Sequence, residues 1–230
     1  MNKRLGDILF IFITTFLFIP VSYCAYGLRG LAILTVAFFL PLYVIRIIIW
    51  ASWSWLCPWL SAKLTPKSWT MLVFSVWASL GIFIWISASD LGSWQISFPT
   101  WIKILGFVLA TAGVVLSLWA EWLLGLKTAI LTTRIFDKES KEEQKLISTG
   151  PYALFAHPIF LGEWLIIFGC FLLTSWIFLL VLLLVAFFSD VFSARGEERD
   201  LRLRFGEEYR NYRSMFLFFI RRKREDIKQI

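Results

Sequence analysis

Long apolar runs with short polar punctuation dominate the chain, near 8–26, 31–52, 69–88, 101–124, 158–175 and 176–194. Each is close to the twenty or so residues that cross a bilayer as a helix. None alternates as the strands of a membrane barrel do, and lipid offers no partner to an open backbone N–H or C=O, so the spans should be helical. The pattern predicts an all-α integral membrane protein with about six transmembrane helices. The fifth and sixth runs are separated by little more than Thr174 and Ser175, which predicts a tight helical hairpin. Leu201, Phe205, Tyr209, Tyr212 and Phe216 then recur at helical spacing, with Arg202, Arg204, Arg210 and Arg213 elsewhere on the wheel. That spacing predicts an amphipathic tail helix between Glu197 and Ile220.

Charge orients these spans. With a cytoplasmic N-terminus, only Arg29 and Lys103 of the 23 lysines and arginines fall on the outer side. Positive charge in short loops favours the cytoplasm, so both termini are expected there and the tail meets the 125–157 loop at the inner surface. The first run follows Lys3 and Arg4 as a signal peptide would, but no small-residue cleavage site precedes a soluble domain, and it is read as a span. Pro20 and Pro41 should bend the first two spans. Trp50, Trp53, Trp55, Trp59, Trp94 and Trp101 cluster at span ends, as interfacial belts do.

Composition agrees: 59% of residues are hydrophobic and 17% charged, with a mean hydropathy of +0.73. The formal charge of +7 sits largely beside predicted spans, which points to anionic lipid and away from nucleic acid. Cys24, Cys57 and Cys170 lie far apart without metal-ligand spacing, so neither a metal site nor a disulfide framework is expected.

Ionisable groups inside a membrane are expensive, and four stand out: Arg46, Glu121, Glu163 and Asp190. Glu121 and Glu163 fall near the cytoplasmic span ends, where hydration competes with a functional role. Asp190, Ser193 and Glu197 share one helical face that could line a cavity. His157, the lone histidine, precedes Pro158 at a span entry and should sit at or near a helix N-cap, where free N–H groups and the helix dipole favour an anionic ligand group.

The segments STGPYALFAHPIFLGEW at 148–164 and EERDLRLRFGEEYRNY at 197–212 together resemble the isoprenylcysteine carboxyl methyltransferase family, which is related to membrane phospholipid methyltransferases. The resemblance covers roughly 105–217 and divides the chain into N-terminal helices at 1–100 and a methyltransferase-like core at 101–230. It implies S-adenosyl-L-methionine as cofactor without a Rossmann domain. It also implies cofactor contacts from Gln144, Leu146, Ile147, Tyr152, the run His157, Pro158, Ile159 and Phe160, and Glu197. Because the methyl sulfonium is already activated, no obligatory catalytic acid or base is implied. The acceptor would be a lipophilic or lipidated molecule entering from the bilayer, such as an isoprenylcysteine carboxylate, a lipid amine, or a small hydrophobic thiol or acid. Glu197, Glu198 or Asp190 would help an amine or thiol lose its proton.

Two positions depart from the family pattern. Ala156 precedes His157 where arginine is usual, and Ser193 stands where the arginine that engages an acceptor carboxylate is expected. Arg195 is the nearby substitute, although two residues along a helix turn it about 200° away. The acceptor-side residues are therefore Asp190, Ser193 and Arg195. An HPxxxGE-type segment also occurs in NADPH-dependent membrane reductases of steroid or fatty-chain substrates, and a non-catalytic membrane scaffold is the third reading. The membrane would be the bacterial inner membrane or the endoplasmic reticulum, depending on source.

Overall fold

A computed structural model describes residues 24, 27–51, 59, 62–87, 95–124, 146–217 and 220–221. The predicted span at 8–26 lies outside these apart from Cys24, as do Cys57, Trp53, Trp55, Trp94 and most of the 125–157 loop, Gln144 included.

Six α-helices are described: α1 (Leu28–Ala51), α2 (Pro66–Ser87), α3 (Thr100–Leu124), α4 (Pro158–Thr174), α5 (Phe178–Phe205) and α6 (Glu207–Ser214). A 3₁₀ turn, Gly150–Ala153, precedes α4. Two short strands, β1 (Phe216–Leu217) and β2 (Ile220–Arg221), pair antiparallel after α6. Among the described residues, three helices are long and apolar enough to cross a membrane, at Leu28–Ile49, Thr100–Leu124 and Phe178–Phe205. Pro158–Thr174 is a shorter apolar helix.

The helices pack as lipid-solvated elements do. On α3, Trp101, Ile104, Phe107, Val108 and Val115 are exposed, a large apolar face that only hydrocarbon would solvate. The opposite face is made of small residues and lies tightly against α4. A Cβ on Gly106 would come within 2.6 Å of the Gly169 carbonyl oxygen, and one on Gly113 within 2.6 Å of the Gly162 oxygen. The two antiparallel helices thus mesh through glycines spaced by seven on each, 106 and 113 against 169 and 162. Without a hydrophobic driving force between spans, such close backbone approach is a main source of association.

The core lies between α1, α4 and α5, where Ile33, Phe39, Tyr43, Ile167, Phe171, Leu179 and Leu182 pack together. The indole of Trp77 on α2 donates to the Phe38 carbonyl on α1 at 2.9 Å, tying the two helices together. The α4–α5 turn is tight, as expected: Ser175 adopts a left-handed φ of 64° and its N–H closes onto the Phe171 carbonyl at 2.7 Å.

The tail differs from its prediction. Helix α5 does not end with its apolar run but continues to Phe205, and the chain then turns at Gly206, whose φ of 53° and ψ of −121° suit glycine alone. One amphipathic helix becomes the end of α5 plus the separate α6. Its apolar positions are covered by protein: Tyr209, Tyr212 and Phe216 are buried together, with Leu201, Phe205, Leu146 and Ala156 against them.

Candidate functional site

Proline at the first position of α4 fixes the helix start and leaves His157 as the N-cap residue, as the sequence predicts. The imidazole is buried and stacks on Phe160, one turn along, with ring centroids 5.2 Å apart and planes 4° from parallel. Two carboxylates from α5 flank it: Nδ1 is 3.5 Å from Glu197, and Nε2 is 3.5 Å from Glu198. Burial pulls the imidazole pKa down, but Glu197 and Glu198 outweigh it, so the group titrates above its ordinary value.

Helix α6 buttresses this arrangement. Arg213 Nε donates to Glu198 at 2.7 Å and its guanidinium also donates to the Phe216 carbonyl at 3.2 Å. The Tyr212 hydroxyl donates to the Tyr152 carbonyl at 2.8 Å, tying α6 to the 3₁₀ turn. That turn begins at Gly150, whose positive φ of 60° favours glycine. Burial pushes the Tyr152 phenol well up from its ordinary range, with Glu197 adding to the effect, and pushes Tyr212 up to about 12. The structure therefore gathers Leu146, Tyr152, His157, Pro158, Phe160 and Glu197 around the start of α4, with Ile147 and Ile159 half-buried beside them.

A second polar cluster lies deeper. Arg46 on α1 donates to both oxygens of Glu163 on α4, at 2.9 and 3.1 Å, and pairs with Asp190 on α5. The Tyr43 hydroxyl donates to Glu163 at 3.1 Å, and the Trp164 indole to Asp190 at 2.8 Å. Glu163 is thus buried and paired rather than hydrated at a span end. The guanidinium also lies over the Phe160 ring, 4.9 Å from its centroid. Phe160 therefore connects the two clusters, with Arg46 against it and His157 stacked on it.

The acceptor-side candidates separate. Asp190 and Ser193 have no exposed surface, and the Ser193 hydroxyl is spent on the Ser189 carbonyl at 2.8 Å. Their face of α5 is packed against neighbouring helices rather than open. Arg195, turned away from it, is exposed and lines a surface groove with Glu198, Arg199, Arg202, Leu203 and Arg210.

Residues 101–208 match the family model for phospholipid methyltransferase. That match marks 101–208 as a segment of the phospholipid methyltransferase type. The match indicates a membrane methyltransferase, in keeping with the long apolar helices. Comparison with curated proteins and with solved structures gave no match. The methyltransferase segment runs from the start of α3 into α6, so it holds His157, Glu163, Asp190, Glu197 and Glu198. Four residues that complete the two clusters, Tyr43, Arg46, Tyr212 and Arg213, come from outside it.

Proposed function

We propose that the protein is an S-adenosylmethionine-dependent methyltransferase acting on a lipophilic acceptor that reaches it from the bilayer. The observation that carries this reading is the buried His157 at the start of α4, held between Glu197 and Glu198 in the family-matched segment. Bound S-adenosylmethionine would supply a methyl group already activated on a sulfonium.

The residues present suit that ligand. A histidine biased toward its charged form at a helix N-cap can receive the methionine carboxylate together with the free N–H groups of the first turn. The Tyr152 ring and the aliphatic Leu146 and Ile147 offer an apolar bed for adenine, and Glu197 can accept from ribose hydroxyls or the ammonium. Pro158, Ile159 and Phe160 complete the wall. Gln144, outside the described residues, extends this set. The protein's contribution would be alignment and exclusion of water, without an obligatory acid or base.

On the acceptor side, Arg46 is saturated by Glu163 and Asp190, and Ser193 is neutral and buried, which leaves Arg195 as the cation for an isoprenylcysteine-type carboxylate. Six spans with both ends cytoplasmic would bring the cofactor from the water phase and the acceptor from the membrane.

Calorimetry with S-adenosylhomocysteine on detergent-purified protein tests the reading. Saturable binding is expected in the wild type and its loss in His157→Ala and Glu197→Ala. A folded wild type that binds no S-adenosylhomocysteine but binds a nicotinamide cofactor would replace this reading with a reductase.

A further inference from the structure

Helix α5 changes character along a single face. Val181, Leu184, Phe188, Phe192, Arg195, Arg199, Arg202 and Leu203 all fall within about 100° of one another on the helical wheel. The first four are exposed, Phe188 by 68% and Leu184 by 59%, and cover roughly three turns of apolar surface that faces no other described helix. From Arg195 onward the same face is cationic and exposed.

The cationic part is concave. Arg195, Arg199 and Arg202 of α5 and Arg210 of α6 line a groove of about 480 Å³, with Leu203 and one carboxylate, Glu198. Glu198 is already engaged by Arg213 and stands beside His157, and its contact to Arg202 is long at 3.5 Å. Among the described residues, Arg195 and Arg199 have no ion-pair partner. The groove therefore has an excess of positive charge at the level where α5 leaves its apolar stretch.

We infer that this face binds one anionic glycerophospholipid. Its acyl chains would lie along Val181, Leu184, Phe188 and Phe192, and its phosphodiester would sit among Arg195, Arg199 and Arg202. Apolar and cationic surfaces join end to end in the order of the two parts of such a lipid, and guanidinium groups match phosphate oxygens bidentately. The closure of the groove by Arg210 makes it a pocket rather than a row of snorkelling side chains. Because Glu198 lines the groove on one side and reaches His157 on the other, the lipid would occupy the surface directly behind the candidate cofactor site.

Native mass spectrometry of the full chain in detergent tests this without any methyl donor, so its result is independent of the methyltransferase reading. Phosphatidylglycerol, phosphatidylcholine with the same acyl chains, and inorganic phosphate would be titrated separately. Each arginine near an anionic headgroup is worth roughly fivefold in affinity, so Arg195→Gln or Arg199→Gln should weaken phosphatidylglycerol about fivefold and the triple variant with Arg202→Gln on the order of 100-fold. Phosphatidylcholine should bind more weakly than phosphatidylglycerol, and inorganic phosphate should not displace it. The single variants break no ion pair and keep the inference testable if the triple variant misfolds. Unchanged phosphatidylglycerol affinity in both single variants, equal binding of the two lipids, or displacement by inorganic phosphate would each overturn it.

Discussion

Arg46, Glu163 and Asp190 are each recognisable in the sequence as charges within apolar runs, yet nothing in their spacing pairs them. They lie more than a hundred positions apart, between Arg46 and either acid, and meet only because α1 packs against both α4 and α5. Deleting one partner of a buried ion pair leaves an uncompensated charge, which typically costs about 3–5 kcal/mol. Arg46→Met is therefore expected to lower the thermal midpoint in detergent sharply. Arg46→Lys, which keeps the charge but not the two-pronged contact to Glu163, should fall between it and the wild type. Equal midpoints for all three proteins would show that the cluster is not a stabilising contact. His157 was legible because Pro158 marks the helix start. The carboxylates beside it were legible only as a motif, since the approach of α5 to α4 is a tertiary matter.

The lone histidine gives a direct reading of its surroundings. Protein labelled at the histidine ring should give one imidazole NMR signal, titrating above the ordinary value of about 6.5. The sign for stability follows: a folded-state pKa raised above the unfolded one contributes stability that is full below about pH 6.5 and is lost as pH rises through the folded value. Glu197→Gln should shift the titration down and flatten that part of the pH–stability curve. A wild-type imidazole titrating at or below its ordinary value would refute the carboxylate pairing. Arg46→Met adds a second use of the same signal, because the stack through Phe160 should transmit loss of the guanidinium to the His157 resonance.

At the scale of elements, the apolar runs predicted four of the described helices and the start of α5 to within a few residues, and the α4–α5 hairpin with them. Two features escaped. The end of α5 was misread because an apolar run marks where a helix leaves lipid, not where it stops, and Gly206 is the actual breaker. The α3–α4 seam was unread because a glycine inside an apolar run looks like any small residue until its partner helix is known. The seam carries its own prediction. A methyl group on Gly169 would lie 2.4 Å from the Ala110 backbone nitrogen, and one on Gly113 would lie 2.8 Å from the Ile166 nitrogen. Backbone cannot move aside as a side chain can, so Gly169→Ala and Gly113→Ala should force α3 and α4 apart and cost about 1–3 kcal/mol each, as overpacking does. Neither Gly27→Ala, which strains a backbone φ of 61°, nor Gly81→Ala, whose methyl would lie 2.9 Å from the Ala37 carbonyl oxygen, is a neutral control. Thermal unfolding of the two seam variants that matches the wild type would mean that the helices do not approach as closely as they do here.

For the whole molecule, the family-matched segment is not an obvious folding unit. Residues 101–208 contain both acids of the buried cluster but not its cation, which arrives on α1. The fragment 101–230 expressed alone would hold Glu163 and Asp190 in apolar surroundings with no counter-charge and should be degraded or aggregate. Co-expression with 1–100 should rescue it, since spans synthesised apart can associate through packing and buried polar contacts. Charge and packing can be separated within that experiment. Replacing a buried ionic group by apolar residues of similar volume is often neutral, so 101–230 carrying Glu163→Met and Asp190→Leu should survive better alone than the unmodified fragment. If the unmodified fragment is as stable alone as with its partner, the N-terminal helices are an accessory to the methyltransferase segment. If only the neutralised fragment is stable, Arg46 is what couples the two halves, and the division read from the sequence marks a boundary of family likeness within a single cooperative fold.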